Sequence, residues 1–329
     1  MAHERFVAEH GGELTRNLAI TRQDGCMTDV TFDHASLHAR SLDDPEGFWL
    51  EAASGVDWIT RPKGALDASS APLYRWFPDA RLNTCYNALD RHVIAGRADQ
   101  PALIHDSAVT GTSRTYTYAE LLDEVARLAG VLQALGVEKG DRVIIYMPMV
   151  PEALEAMLAC SRLGAIHSVV FGGFAANELA VRIDDCQPKA IIAASCGLEP
   201  GRVVHYKPLL DKAIELASHK PDFCVIFQRE QEVAKLIEGR DVAWHTFQYG
   251  VEPAECVPVE GNHPHYILYT SGTTGQPKGV LRDHMGLDRA ALAGCAGSGR
   301  AAAGPDRRRN GGSVADGLDS RNIRAAGRA

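Results

Sequence analysis

The sequence has no apolar run long enough to cross a bilayer. Its longest candidate, Val143 to Val150, is interrupted by Pro148 and falls far short of the ~20 residues that a spanning helix needs. Basic charge is not in excess either: 34 Lys and Arg against 42 Asp and Glu leave a net charge of −8, which disfavours a nucleic-acid partner. Met1-Ala-His-Glu-Arg lacks the apolar core of a signal peptide. The eight cysteines include no Cys-x-x-Cys pair and are expected to be reduced thiols in a reducing compartment. No internal repeat is evident. With 45% hydrophobic and 23% charged residues, what remains is the composition of a soluble cytoplasmic enzyme.

What is present is concentrated in Tyr266-Ile-Leu-Tyr-Thr-Ser-Gly-Thr-Thr-Gly-Gln-Pro-Lys-Gly-Val280. Tyr266 to Tyr269 reads as a short buried strand, and it runs into Thr270, Ser271, Thr273 and Thr274, interleaved with Gly272 and Gly275. Hydroxyls donate to phosphate oxygens, and glycines let backbone N–H groups approach an anion closely. Lys278 adds a mobile point charge suited to a triphosphate or a departing pyrophosphate. A flexible Ser/Thr/Gly surface loop is the plainer alternative. The coincidence of strand, hydroxyls, spaced glycines and Gln-Pro-Lys-Gly favours phosphate binding. A P-loop is excluded, because it requires Gly, four residues, then Gly-Lys-Ser/Thr, and neither Gly272 nor Gly275 has that partner.

The body of the chain alternates helical and strand patterns. Thr117 and Glu120 have capping-box spacing; Leu121, Val125, Leu128, Leu132 and Leu135 then fall on one helical stripe that Gly136 ends. Strand-like Val143 to Tyr146 follows, then a helix from Pro151 to Leu163 stopped by Gly164, a strand from Ile166 to Phe171, and a helix over about Asn177 to Asp185. Lys189 to Ala194 and Phe223 to Phe227 read as further strands, the second preceded by a helix from Pro208 to Ala217. This succession predicts an α/β fold with a mainly parallel sheet covered on both faces. Phe171-Gly-Gly-Phe174 falls at the carboxyl end of a strand, where open α/β sheets place ligands, although a plain strand-to-helix turn reads the same way. Met147 and Met149 read as core residues, and Cys256, His263 and His265 as ordinary surface residues rather than a metal site.

The Tyr266–Val280 segment resembles the phosphate loop of the AMP-forming acyl-CoA synthetases, an adenylate-forming superfamily. Phe48-Trp49, Trp76-Phe77-Pro78 and Leu82-Asn83-Thr84-Cys85-Tyr86-Asn87 look like the N-terminal region of its acetyl- and propionyl-CoA synthetases, as do Asp141 to Met149 and Gly164 to Phe174. Glu199-Pro-Gly-Arg202 and His219-Lys-Pro-Asp222 look more like the propionyl branch, with acetate–CoA ligase as the alternative parent activity. The resemblance covers about Met27 to Arg282. It implies the N-terminal portion of the large adenylate-forming domain, with ATP (as its Mg²⁺ complex), CoA and a short carboxylate as small-molecule substrates and no membrane partner. It also implies that Thr270, Ser271, Gly272, Thr273, Thr274, Gly275 and Lys278 bind the ATP phosphates, with Lys278 catalytic. Phe171, Gly172, Gly173 and Arg202 are implied to meet CoA; a solvated surface arginine is the plainer reading of Arg202. No metal ligand is assigned.

The domain reading is 1–26 an upstream extension from a mis-set start, expected to be disordered; 27–90 the acetyl-CoA synthetase-like N-terminal region; 91–282 a partial AMP-binding domain; and 283–329 a low-complexity tail. Those last 47 residues hold 11 Ala, 9 Gly and 8 Arg and no Phe, Trp or Tyr, too little apolar surface to offset the entropy of ordering. A frameshift or truncation is the expectation. The family's adenine pocket, ribose-binding aspartate, magnesium-binding acid, carboxylate pocket and C-terminal lysine have no counterpart here, so this chain alone is expected to be an inactive fragment.

Overall fold

The computed structural model describes residues 34–245, 250–270 and 277–285. The chain divides into two compact units at Gly55/Val56. Described residues of the first form helices His34–Asp43 and Pro45–Ala52 and the short turn Ala53–Gly55. Asp44 starts the second helix, its carboxylate accepting from the Gly47 amide at 2.9 Å with Pro45 in the first turn, where a missing N–H costs nothing. The upstream stretch before residue 34 lies outside the described residues.

In the second unit the hairpin Pro101–Ser107/Thr112–Thr117 feeds helix α1 (Tyr118–Ala134). Both halves of the expected capping box are made: the Glu120 amide donates to Thr117 Oγ1 at 3.2 Å, and the Thr117 amide donates to Glu120 Oε2 at 2.8 Å. There follow β1 (Arg142–Met147), α2 (Pro151–Leu163), β2 (Ile166–Phe171), α3 (Ala176–Cys186), β3 (Ala190–Ala194), α4 (Tyr206–Leu216), β4 (Phe223–Phe227), β5 (Asp241–Ala243), β6 (Pro264–Thr270) and β7 (Lys278–Asp283). Gly164 ends α2 in the left-handed region at φ 69°, as a C-terminal glycine should.

These strands form one seven-stranded sheet in the order β5-β4-β3-β1-β2-β6-β7, parallel throughout except for the antiparallel last pair. From β1 the chain crosses to β2 on one side and from β3 to β4 on the other. Right-handed crossovers therefore place α2 and α3 on opposite faces, where α1 packs on α2 and α4 on α3. The centre of the sheet is dry: Ile144, Ile145, Tyr146, Ile191, Ile192, Val225 and Ile226 are fully buried, each aliphatic side chain contributing about 1.5–3 kcal/mol. β1 and β3 are neighbours whose onward connections diverge, the topological switch point at whose carboxyl ends open α/β sheets place ligands.

Three expectations need correction. β6 is not a buried strand: Leu268 and Thr270 are exposed and the rest mostly half-buried, because β6 joins β2 through the single pair Tyr266/His167 and has only the edge strand β7 beyond it. Met147 is buried but Met149 is 87% exposed, since the strand ends between them and Met149 stands on the connection. The packed chain also continues past Arg282: Asp283 closes β7, and His284 and Met285 are fully buried. Residues 286–329 lie outside the described residues.

Candidate functional site

The hydroxyl- and glycine-rich loop connects β6 to β7, and its two ends are registered against each other. Thr270 pairs with Lys278 as the last rung of the hairpin, both exposed, so the lysine stands at the mouth of the loop beside the first of its hydroxyl residues. Ser271, Gly272, Thr273, Thr274 and Gly275 lie outside the described residues. One rung below the mouth, Tyr269 pairs with Gly279 and its hydroxyl donates to Asp185 Oδ2 on α3 at 2.6 Å. A Cβ on Gly279 would meet the Ile267 side chain at 3.2 Å, the Tyr269 ring at 3.3 Å and Asp185 at 3.4 Å, so the glycine leaves room for the Tyr269–Asp185 contact. Burial pushes the Tyr269 phenol well above its ordinary range, so it remains a donor.

Phe171, Gly172 and Gly173 sit at the carboxyl end of β2, and the turn they form is held from below. The Tyr146 hydroxyl donates to the Phe174 carbonyl at 2.9 Å and accepts from the Gly173 amide at 3.2 Å. Gly173 adopts φ 99°, a conformation that favours glycine. Gly172 is required for space, because a Cβ there would stand 2.3 Å from the Tyr206 ring; a Cβ on Gly197, after β3, would stand 2.1 Å from the Tyr206 hydroxyl and 2.3 Å from the same ring. The Tyr206 ring is thus boxed between two glycines, joining the turn after β2 to the one after β3. Phe171 is 63% exposed, an aromatic face turned to solvent above this support.

Arg202 begins the second strand of the small hairpin Cys196–Glu199/Arg202–His205 and is exposed. Its guanidinium is engaged by Glu199 at 2.6 and 2.8 Å, an exposed pair that an incoming anion must compete with. The residue that joins the two expected subsites is one the sequence reading missed. Arg182, on α3 and 7% exposed, stacks its guanidinium over Phe174 (5.0 Å) and over Tyr269 (5.4 Å), while Glu178 holds it at 3.0 Å. Its position three residues before Asp185, on the same helical face, is the only signal that could have found it.

His263 and His265 are not ordinary surface residues. His265 is buried, with Ser161 Oγ at 2.6 Å from its Nε2, and its ring lies 4.3 Å from His284 and 5.0 Å from His167. Since the Ser161 hydroxyl donates to the Met157 carbonyl, it accepts from His265 Nε2, and His265 Nδ1 is left as a buried atom without a partner. Burial lowers His265 to about 4 and holds His167 and His284 well below their ordinary value, so the cluster is neutral. The half-buried His263 donates to the Gly164 carbonyl at 2.8 Å. Sequence alone hid this cluster because His167 and His284 lie far from His265 along the chain. Cys256 falls elsewhere, beside Cys85 and Asp90.

The family model described as "AMP-binding enzyme" matches residues 90–308, and that described as "Acetyl-coenzyme A synthetase N-terminus" matches residues 34–88. The chain is 50% identical over 251 residues to the mitochondrial acyl-CoA synthetase short-chain family member 3 of Homo sapiens, covering 76% of this chain and 37% of that protein. It is 45% identical over 252 residues to the propionate–CoA ligase of Escherichia coli, covering 76% of this chain and 40% of that protein. The solved acetoacetyl-CoA synthetase from Streptomyces lividans superposes with a TM-score of 0.72 at 26% identity, over 88% of this chain and 42% of that one. The chain therefore spans about two fifths of the length of these relatives.

Proposed function

Because this chain belongs to the AMP-binding enzyme family of acyl-CoA synthetases, we propose that it supplies the nucleotide-phosphate and CoA-facing part of a short-chain acyl-CoA ligase, with propionate as the carboxylate. One observation carries the phosphate half of the reading: Lys278 and Thr270 face each other across the mouth of the loop at the end of the β6–β7 hairpin. In the proposed reaction a carboxylate oxygen attacks the α-phosphorus of ATP, pyrophosphate departs, and the CoA thiolate then displaces AMP from the acyl carbon. Thr270, Ser271, Thr273, Thr274 and the amides of Gly272 and Gly275 would bind the β- and γ-phosphates, while Lys278 stabilises charge gathering on the pyrophosphate. The ATP enters as its Mg²⁺ complex, and this stretch offers polyphosphate donors rather than metal ligands. Phe171 would lie against the CoA nucleotide on the backbone of Gly172 and Gly173, and Arg202 would exchange its Glu199 partner for a CoA phosphate. The propionate assignment rests on Glu199-Pro-Gly-Arg202 and His219-Lys-Pro-Asp222, with acetate as the alternative carboxylate. On the domain scale we propose a boundary near residue 90 between the N-terminal region and the AMP-binding portion.

The test is equilibrium binding of labelled pyrophosphate and of ATP to the 329-residue chain, with Lys278→Ala and Arg202→Ala alongside. Lys278→Ala is expected to weaken pyrophosphate binding at least tenfold, about 1.4 kcal/mol, while Arg202→Ala leaves it unchanged. Equal affinities for parent and Lys278→Ala would remove the loop from phosphate recognition.

A further inference from the structure

Cys85 and Cys256 are about 170 residues apart in sequence, yet their sulfurs and a carboxylate oxygen of Asp90 lie within 4.8 Å of one another. Cys85 is fully buried on the short helix Thr84–Ala88, whereas Cys256 is half-buried on the segment leading to β6; the other described cysteines, Cys160, Cys186, Cys196 and Cys224, are all buried. Of the described thiols, Cys256 alone is open to a reagent, and a second thiol stands directly behind it.

The surroundings separate a thiol pair from a metal centre. Arg162, 4% exposed, binds Asp90 through both guanidinium nitrogens at 2.8 and 3.0 Å and places Nη1 3.8 Å from the Cys85 sulfur. The carboxylate is thus already committed to a cation, and a metal ion would have to sit against that guanidinium. The Cys85 sulfur, gathering negative charge as it attacks during thiol–disulfide exchange, is by contrast favoured beside it, while the Cys256 thiol points to Asp90 Oδ2 at 3.8 Å.

We propose that Cys85 and Cys256 form a reversible redox site, closing to a disulfide in the presence of a low-molecular-weight disulfide. The Cys256 thiol gives up its proton and its sulfur attacks the oxidant RSSR, forming a Cys256–SR mixed disulfide and releasing one RSH. Cys85 then gives up its proton, attacks the Cys256 sulfur and releases the second RSH. Two protein thiols are oxidised, and one RSSR is reduced to two RSH. The sulfurs must close to about 2.05 Å, which side-chain rotation at the half-buried Cys256 has to supply. Closure ties the Thr84–Ala88 helix to the segment that precedes the β6–β7 hairpin. The Cys256 thiol is held above its ordinary range by the adjoining Cys85 thiol and by burial, so cross-linking accelerates as pH rises.

The test treats the folded 329-residue chain with oxidised glutathione, alkylates the remaining thiols and maps peptides without reduction. A Cys85–Cys256 cross-link as the main product, reversed by dithiothreitol, is the expected result. Cys85→Ser should stop at the glutathione adduct on Cys256, and Cys256→Ser should form neither species. The oxidised chain should melt roughly 5–10 °C higher than the reduced one, because a long loop is closed. Alkylation of both thiols after treatment, or an adduct on Cys256 that Cys85 never resolves in the parent chain, would overturn the proposal. So would stoichiometric zinc held by the parent chain and lost in both serine variants, which would make the pair a metal site.

Discussion

Acidification should act on the core through the buried histidines, and the perturbation can be isolated by comparing the parent chain with His265→Gln. Glutamine can still donate to Ser161 Oγ but has no imidazole to protonate. In the folded chain burial lowers His265 from 6.5 to about 4, so the unfolded chain takes up the proton first. The stability attached to the neutral ring is fully present above pH 6.5 and drains as pH falls toward 4. The whole interval is worth about 3 kcal/mol, of which about 2 kcal/mol is lost between pH 7 and pH 5. His167 and His284 are shifted the same way, and with the rings 4.3–5.0 Å apart a proton on any one resists a second. Urea unfolding followed by tryptophan fluorescence at pH 7 and pH 5 supplies the numbers. The expected outcome is that the parent loses about 2 kcal/mol relative to His265→Gln on going to pH 5. Parallel pH profiles for the two proteins would refute the argument, since the imidazole would then be no harder to protonate in the folded chain than in the unfolded one.

A carboxyl works in the opposite direction. Glu155, on α2 and 1% exposed, has an oxygen without a partner, and burial with Glu124 beside it lifts its carboxyl well above the usual range. Its protonated form stabilises the fold fully below the unfolded carboxyl value of 4.5, and that contribution drains as pH rises from there to about 9, so Glu155→Gln should remove a downward slope of the stability–pH curve across this interval; an unchanged slope there would count against a protonated Glu155. Gly197→Ala should destabilise the chain by about 1–3 kcal/mol and perturb the near-ultraviolet tyrosine signal, because the added methyl enters the Tyr206 ring; a neutral effect in urea unfolding would mean that the ring can yield.

The parallel sheet and its helices were legible because local signals agreed with the global fold. Thr117 and Glu120 wrote the start of α1, Pro151 and Gly164 the two ends of α2, and the Ile191-Ile192 and Val225-Ile226 runs the dry centre of the sheet. What could not be read was whatever depends on neighbours across the sheet. Tyr266 to Tyr269 has the composition of a buried strand, but its burial is decided by the sheet edge next to it. His265 sits beside Pro264 in a stretch that looks like a surface loop, but Ser161, His167 and His284 enclose it. Arg182 and Tyr206 carry no motif at all, and their roles follow only from two glycines and two aromatic rings brought in by other strands.

Arg182 and Asp185 have a consequence of their own. One turn of α3 underpins both loops: Asp185 anchors the hairpin through Tyr269, and Arg182 lies beneath Phe174 and Tyr269 together. The turn after β2 and the hairpin mouth thus rest on a common footing, although they are nearly a hundred residues apart in the chain. A rigid shift of α3 carries both by the same amount and preserves their mutual spacing. The β2–β6 pairing fixes the strands beneath them, and loosening that one turn frees the loops above, so their registration depends in part on a helix that belongs to neither.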